Sequence, residues 1–381
     1  MTRTSAAVLL LFVCAGLSTA VGQAPAFSRM DVFELEWVAS PQISPDGSRI
    51  VYVRRGMDVM TDRRTGALWL MEADGSGHVK LTDRTSAESS PRWSPDGSKL
   101  AFLSRSETHG TEVYVHWLAE GRTARITNLE NAPRGLSWSP TGTHLAFSAK
   151  VSAPEPQFVT PPDPPEGADW AAPPRVETRL NHEQDGVGVL DYGYDQLFVV
   201  PATGGTARQV TSGDVHHDGR PVWTADGEAL IVSANRHDNW ERERRNTELY
   251  RVSLTNSSIA PLTDRFGPDH TPRVSPNGER VAYLGYDDAV QTYQLTHLYV
   301  MDADGSDAPR VSLRLNCPVD PIPCVPDGDG LSLQHQHERT TTLVHTTLQR
   351  ATTVVATQLG STSTRRPYVC CHFQPPPTVR L

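Results

Sequence analysis

The chain has 381 residues, of which 38% are apolar and 21% charged, enough apolar side chain to bury a core and too few charges for compositional disorder. An excess of 44 acidic over 35 basic residues, giving a net charge of −9, speaks against a nucleic-acid-binding face. Five cysteines in this length exclude a disulfide scaffold, and no apolar run reaches the roughly 20 residues that cross a bilayer.

Met1 to Ala20 reads as a secretory signal. Arg3 is followed by the apolar stretch Ala6 to Leu17 and by the small-x-small site Ser18-Thr19-Ala20, with Gly22-Gln23-Ala24 as a weaker second site before Pro25. Cys14 follows Val13 rather than a small residue, so no lipid anchor is read there. The mature protein is expected to be exported, to the periplasm or outside the cell.

From here one phrase recurs: Ser44-Pro45-Asp46-Gly47, Ser94-Pro95-Asp96-Gly97, Ser139-Pro140-Thr141-Gly142, Thr224-Ala225-Asp226-Gly227 and Ser275-Pro276-Asn277-Gly278. The starts lie 50, 45, 85 and 51 residues apart, and a poorer sixth copy, Val325-Pro326-Asp327-Gly328, follows after another 50. Each phrase is a tight turn, since Pro fixes the entry angle and Asp-Gly tolerates positive φ. The apolar run Lys99-Leu-Ala-Phe-Leu-Ser104, the strand Glu112-Val-Tyr-Val-His-Trp117, the turn Glu120-Gly121 and the strand Ala124-Arg-Ile-Thr127 complete a unit. Four short strands per period of about 50 residues describe a β-propeller blade. The fold expected is all-β: five recognisable propeller blades over 27–312, and a degenerate sixth.

The 85-residue interval holds an insertion, Ala153 to Pro174, with eight prolines, expected as an extended loop. Residues 313–381 break with what precedes them. Cys317, Cys324, Cys370 and Cys371 crowd this tail, with Thr340-Thr-Thr342 and no lysine. Pro326-Asp-Gly-Asp-Gly330 and Arg366-Pro-Tyr368 keep a trace of a blade. The tail is read as a blade scrambled by reading-frame slips, or as a diverged terminus.

Asp31-Val-Phe-Glu-Leu-Glu36 leading into Pro41-Gln-Ile-Ser-Pro-Asp-Gly47 and Ile50-Val-Tyr-Val-Arg54 resembles the propeller start of the prolyl oligopeptidase family, in its dipeptidyl-peptidase and acylaminoacyl-peptidase branch. Asp185-Gly186, Leu197-Phe-Val-Val-Pro201, Gly204-Gly205, Gln209-Val-Thr211, Ser233-Ala-Asn-Arg236 and Ala282-Tyr-Leu-Gly285 continue the likeness. TolB-like periplasmic propellers share the Ser-Pro-Asp-Gly blades. The family resemblance implies a ring that gates a serine hydrolase domain following it in the chain, where a Gly-x-Ser-x-Gly elbow presents the nucleophile. No such elbow occurs in the 381 residues: Gly135-Leu-Ser137-Trp-Ser139 ends in Ser, and Asp74-Gly-Ser76-Gly77 lacks the leading Gly. The expectation is therefore the substrate-gating part of an exported serine peptidase, acting on peptides and inactive alone, with no catalytic residue of its own. The alternative is a stand-alone TolB-like protein-binding propeller.

Candidate substrate contacts fall in the run Arg236-His-Asp-Asn-Trp-Glu-Arg-Glu-Arg-Arg245, which follows a strand, carries both charge signs and holds a tryptophan: Arg236, Asp238, Trp240 and Glu241. A solvated face is the plainer reading of that run. His216-His217-Asp218 reads as a solvated turn, and Asp302-Ala-Asp304-Gly305 as a hairpin turn lacking the later acid of a calcium loop. Cys317, Cys324, His335 and His337 lack the close ligand pairs of a zinc site. Asn256-Ser-Ser258 fits a glycosylation acceptor. No cofactor or metal is expected, and the oligomeric state stays open.

Overall fold

The structure is a computed structural model that describes residues 27–359, apart from 83–86, 107, 161, 172–173, 218, 312–318, 321–329, 338–339 and 348–350. The signal segment, the sixth turn phrase, Asp218 and the four tail cysteines lie outside the described residues, as do the side chains of His335 and His337.

Six antiparallel sheets follow one another along the chain, the blades of a propeller, over residues 37–80, 89–125, 134–209, 222–261, 269–302 and 319–359. Among the described residues the one helical element is a short 3-10 turn, Met30–Glu34. Within each blade the strands pair in sequence order, so every blade is closed by its own chain. The first strands, Trp37–Ile43, Ser89–Trp93, Arg134–Trp138, Val222–Trp223 and Asp269–Val274, neighbour one another and form the inner ring.

The recurring phrase is the turn between strands one and two. In blade two the Ser94 hydroxyl donates to Asp96 Oδ1 at 2.5 Å and accepts from the Lys99 N–H at 2.9 Å, while the Gly97 N–H closes on the Ser94 carbonyl at 2.9 Å. The glycines of the five turns have φ of 75, 68, 66, 72 and 76°, a region that costs residues with a Cβ about 1 kcal/mol or more. Gly97 also sits on Pro45 of the preceding turn, and Gly142 on Pro95, so the hairpins pack in series around the ring.

The run Leu100 to Leu103 is buried at every residue, as expected of a strand covered by a blade on each face. Apolar clusters join blade one to two through Leu68 and Phe102, two to three through Val113 and Phe147, three to four through Leu197 and Val232, and four to five through Ile231 and Tyr283. Blade five meets six through Leu298, Leu331 and Val344. Among the described residues no apolar cluster joins blade six to blade one.

Blade five departs from the sequence reading, and a sixth blade forms in the segment read as degenerate. Blade five has three strands, its fourth reduced to a single bridge between Tyr299 and Arg310. The segment read as degenerate pairs as four strands, Val319–Asp320, Gly330–His337, Thr340–Thr347 and Thr352–Leu359. Thr, Val and Leu dominate its last two strands, and β-branched side chains suit a pleated surface whether or not a turn signature survives. The fourth strand of blade two, read at 124–127, is Arg122–Arg125. Ile126 and Thr127 turn inward instead, Ile126 into the core and Thr127 onto Glu112.

Candidate functional site

Because the strands alternate in direction, the short hairpin turns occupy one end of the ring. The loops between strands two and three, and the links from one blade to the next, occupy the other. This second end carries the long insertions. In blade three the chain leaves strand His144–Ser152 and returns only at Gly193–Pro201. Residues 153–174 hold no strand or helix among those described, and a small hairpin pairs Glu183–Gln184 with Gly188–Val189. Blade four adds the loop 235–247 between Ala229–Ala234 and Glu248–Ser253.

The insertion is tied down by charge. Glu177 accepts from Arg175 at 2.6 Å, from the Tyr192 hydroxyl at 3.1 Å and from Arg179 at 3.5 Å, and the Arg179 guanidinium lies 3.7 Å from the centre of the Tyr192 ring. These bonds hold the Glu177 carboxyl below its ordinary range despite partial burial. The insertion then reaches blade four, where the Leu180 N–H donates to Glu241 Oε1 at 3.2 Å.

The 235–247 loop is folded on itself. The Asn235 side-chain amide donates to the Glu243 carbonyl at 2.7 Å, and the Trp240 N–H to the His237 carbonyl at 3.1 Å. Of the four candidate contacts, Asp238 is exposed, while Arg236, Trp240 and Glu241 are half-buried. Arg236 reaches inward and donates to His217 Nε2 at 2.7 Å, with its guanidinium over the Tyr250 ring. The Trp240 ring meets the His216 ring edge-on at 5.5 Å, and His216 meets Tyr194 at 5.2 Å. The structure thus brings Arg236, Trp240 and Glu241 onto blade three and leaves Asp238 in solvent.

The two histidines are not a solvated turn. His217 is 0% exposed. Its backbone N–H donates to the Asp195 carbonyl at 2.7 Å, and burial together with the Arg236 charge pushes the ring's pKa down to about 4, so the ring stays neutral and accepts from Arg236 through Nε2. His216 Nδ1 lies 3.1 Å from Asp195 Oδ2, and this bond holds the Asp195 carboxyl below its ordinary range. The Gly-rich surroundings suggested a surface loop. The long-range partners Asp195 and Arg236 draw it inward.

Sequence reasoning missed a second buried group beneath the same loop. Glu248 is 2% exposed, accepts from the Thr263 hydroxyl through Oε2, and has its Oε1 3.9 Å from His237 Nε2. Burial, with Asp269 close by, pushes its carboxyl up to about 7. Asp269 is fully buried against Arg265, and burial pushes it up to about 6. A signal for Glu248 was present: Glu112 and Thr127, Gln196 and Thr211, and Glu248 and Thr263 are each 15 residues apart and hydrogen-bonded. In each pair the threonine hydroxyl also accepts the N–H of the residue after the acid or amide.

Among the described residues no group of three or more His, Cys, Asp or Glu side chains is arranged to hold a metal ion. Nor is any helix among them long and apolar enough to cross a membrane.

The family model described as "TolB beta propeller domain" matches residues 47–288, from the first turn phrase into blade five, and takes in the long loops of blades three and four. The chain belongs to the TolB β-propeller domain family. Among curated proteins it is similar to the peptidase YuxL of Bacillus subtilis (strain 168), 30% identical over 207 residues, covering 54% of this chain and 30% of that protein. It is similar to dipeptidyl-peptidase 5 of Porphyromonas gingivalis, 25% identical over 333 residues, covering 83% of this chain and 47% of that one. The chain spans less than half the length of either relative. Among solved structures, Pyrococcus horikoshii acylaminoacyl peptidase superposes with a TM-score of 0.62 at 15% identity, over 82% of this chain and 45% of that one. The β-propeller domain of the Trilobed protease from Pyrococcus furiosus gives 0.57 at 13%, over 85% and 84%. Relatives and neighbours thus include peptidases whose propeller portion this TolB-family propeller matches, as the opening blades suggested.

Proposed function

We propose that this propeller is the substrate-admitting domain of an exported serine peptidase of the prolyl oligopeptidase type, acting on peptides and without hydrolytic activity of its own. The observation that carries this reading is the mouth of the ring, where Arg236, Trp240 and Glu241 stand together beside the 153–192 insertion at the end opposite the short turns. A guanidinium suits a peptide carbonyl or carboxylate, a carboxylate suits an amine, and an indole gives apolar area at low entropic cost. Two peptidase relatives, matched over 54% and 83% of the chain, support the class of substrate. Export rests on the segment Met1 to Ala20.

Purified chain incubated with dipeptidyl and N-acyl-aminoacyl p-nitroanilides should release no p-nitroaniline. Turnover that a serine-directed inhibitor blocks would contradict the reading. The family match to TolB propellers favours a second one, a protein-binding module. Capture of one stoichiometric protein partner from periplasmic extract, with no affinity for short peptides, would support that instead.

A further inference from the structure

We propose that the contact between Glu248 and His237 is a proton-controlled latch that tightens the 235–247 loop as pH rises, and so sets how firmly the mouth residues Arg236 and Trp240 are held. The proposal rests on the reading of this end as the substrate mouth only for its consequence, not for the latch itself.

The geometry is specific. Glu248 begins the third strand of blade four beneath the loop, and the loop places His237 over it. Glu248 Oε1 and His237 Nε2 stand 3.9 Å apart, and neither has a hydrogen-bond partner. The buried carboxylate thus lacks a donor on one oxygen, while a ring nitrogen on a loop waits about 1 Å beyond bonding distance. His237 is 38% exposed at its side chain, so the loop can move to close that gap, whereas Glu248 cannot leave the core.

The other groups facing Glu248 set its charge. From the link to blade five come the Thr263 hydroxyl and Arg265, which favour the ionised form, and Asp264, which opposes it, as does Asp269 at the start of blade five's first strand. Tyr250 on its own strand and Tyr283 of blade five lie within its field. Arg265 is committed to Asp269 and is 3.4 Å from Asp287, which leaves His237 as the one donor able to approach Oε1 among these groups. Burial delays ionisation of Glu248 to about pH 7. Once ionised, its bare oxygen gains a charge-assisted bond by drawing His237 in, and the loop amides downstream are ordered with it.

Hydrogen exchange of the full chain reads this directly. The Trp240, Arg242, Glu243 and Asn246 amides are bonded within the loop, to His237, Asn239 and Glu243, and report its closure. After correction for the intrinsic pH dependence of exchange, protection of 236–246 should rise about tenfold between pH 5.5 and 8.5, with a midpoint near 7. Glu248→Gln, which keeps an acceptor for Thr263, should hold protection constant across the range. His237→Ala, which removes the donor and leaves the core intact, should abolish the rise independently. Protection that is flat in the wild-type chain, that falls as pH rises, or that rises equally in Glu248→Gln overturns the latch. Peptide titrations run alongside separate the two ideas: a pH-responsive loop without peptide affinity sinks the mouth reading and leaves the latch standing.

Discussion

Trp138 donates its indole N–H to the carbonyl of Arg92, 3.0 Å away across the boundary between blades three and two. The bond is one rung of a series. Trp93 donates to the Gln42 carbonyl of blade one at 3.1 Å, and Trp223 to the Ser137 carbonyl of blade three at 3.1 Å. Each indole ends an inner strand one residue before the turn phrase. In blades one and five that place is taken by Ile43 and Val274, whose side chains carry no N–H. Trp138→Phe keeps most of the apolar volume and leaves the Arg92 carbonyl without this donor. Denaturant unfolding should show a loss of about 1–2 kcal/mol, against about 3–5 kcal/mol for Trp138→Ala. Equal losses for the two would mean the rung carries nothing.

The buried pair of Glu112 and Thr127 predicts a larger effect from a smaller change. The Thr127 hydroxyl donates to Glu112 Oε2 at 2.5 Å and accepts from the Val113 N–H at 2.9 Å. Thr127→Val preserves shape but strips both bonds from buried groups. A loss of about 2–3 kcal/mol follows, whereas Glu112→Gln alone, which still accepts from Thr127, should cost less. Urea melts of the single and double variants measure this, and a loss below about 0.5 kcal/mol for Thr127→Val contradicts it.

Stability should depend on pH in opposite senses at two sites. Glu248 titrates near 7 in the fold and about 4.3 in an unfolded chain, so the fold holds that proton more tightly. Its contribution is complete below about pH 4.3 and is lost as pH rises through 7. His217, with its pKa pushed down to about 4, contributes above about 6.5 and loses that contribution as pH falls through 4. Relative to wild type, Glu248→Gln should therefore become more stable as pH rises from 5 to 7.5, and His217→Gln as pH falls from 6.5 to 4. Thermal melts across this range check both signs.

Gly285 leaves room for the Arg265–Asp269 pair. A Cβ there would run into Asp269 Oδ1, Arg265 Nη2 and the Pro268 carbonyl, so Gly285→Ala forces the buried pair apart. Calorimetry should register a loss of about 3 kcal/mol. An unchanged melting temperature would mean the pair relaxes freely.

The blades were legible because the Ser-Pro-Asp-Gly phrase records a local necessity, a capped turn with a left-handed glycine, and local necessities repeat. The hidden parts are those fixed by distant partners. His216 and His217 sit between glycines, and nothing nearby announces that Asp195 and Arg236 bury them. Blade six lacks a described turn phrase, yet its Thr- and Val-rich strands pair, since β-branched side chains alone favour the pleat. The acid–threonine pairs left a 15-residue spacing in plain view, but that spacing joins two strands through hydroxyl chemistry rather than through any turn or periodic face. Arg236, Asp238, Trp240 and Glu241 were singled out from charge and an indole beside a strand end. That pattern located the loop without revealing what the loop rests on.

Isothermal titration of a short unblocked peptide into the purified chain at pH 7.5 tests the mouth most directly. Saturable binding should appear, and Arg236→Ala or Trp240→Ala should weaken it about tenfold or more, while Arg251→Ala, on the outward part of blade four, should leave it unchanged. No measurable binding, or binding indifferent to Arg236 and Trp240, would contradict the assignment of this end of the ring to the substrate.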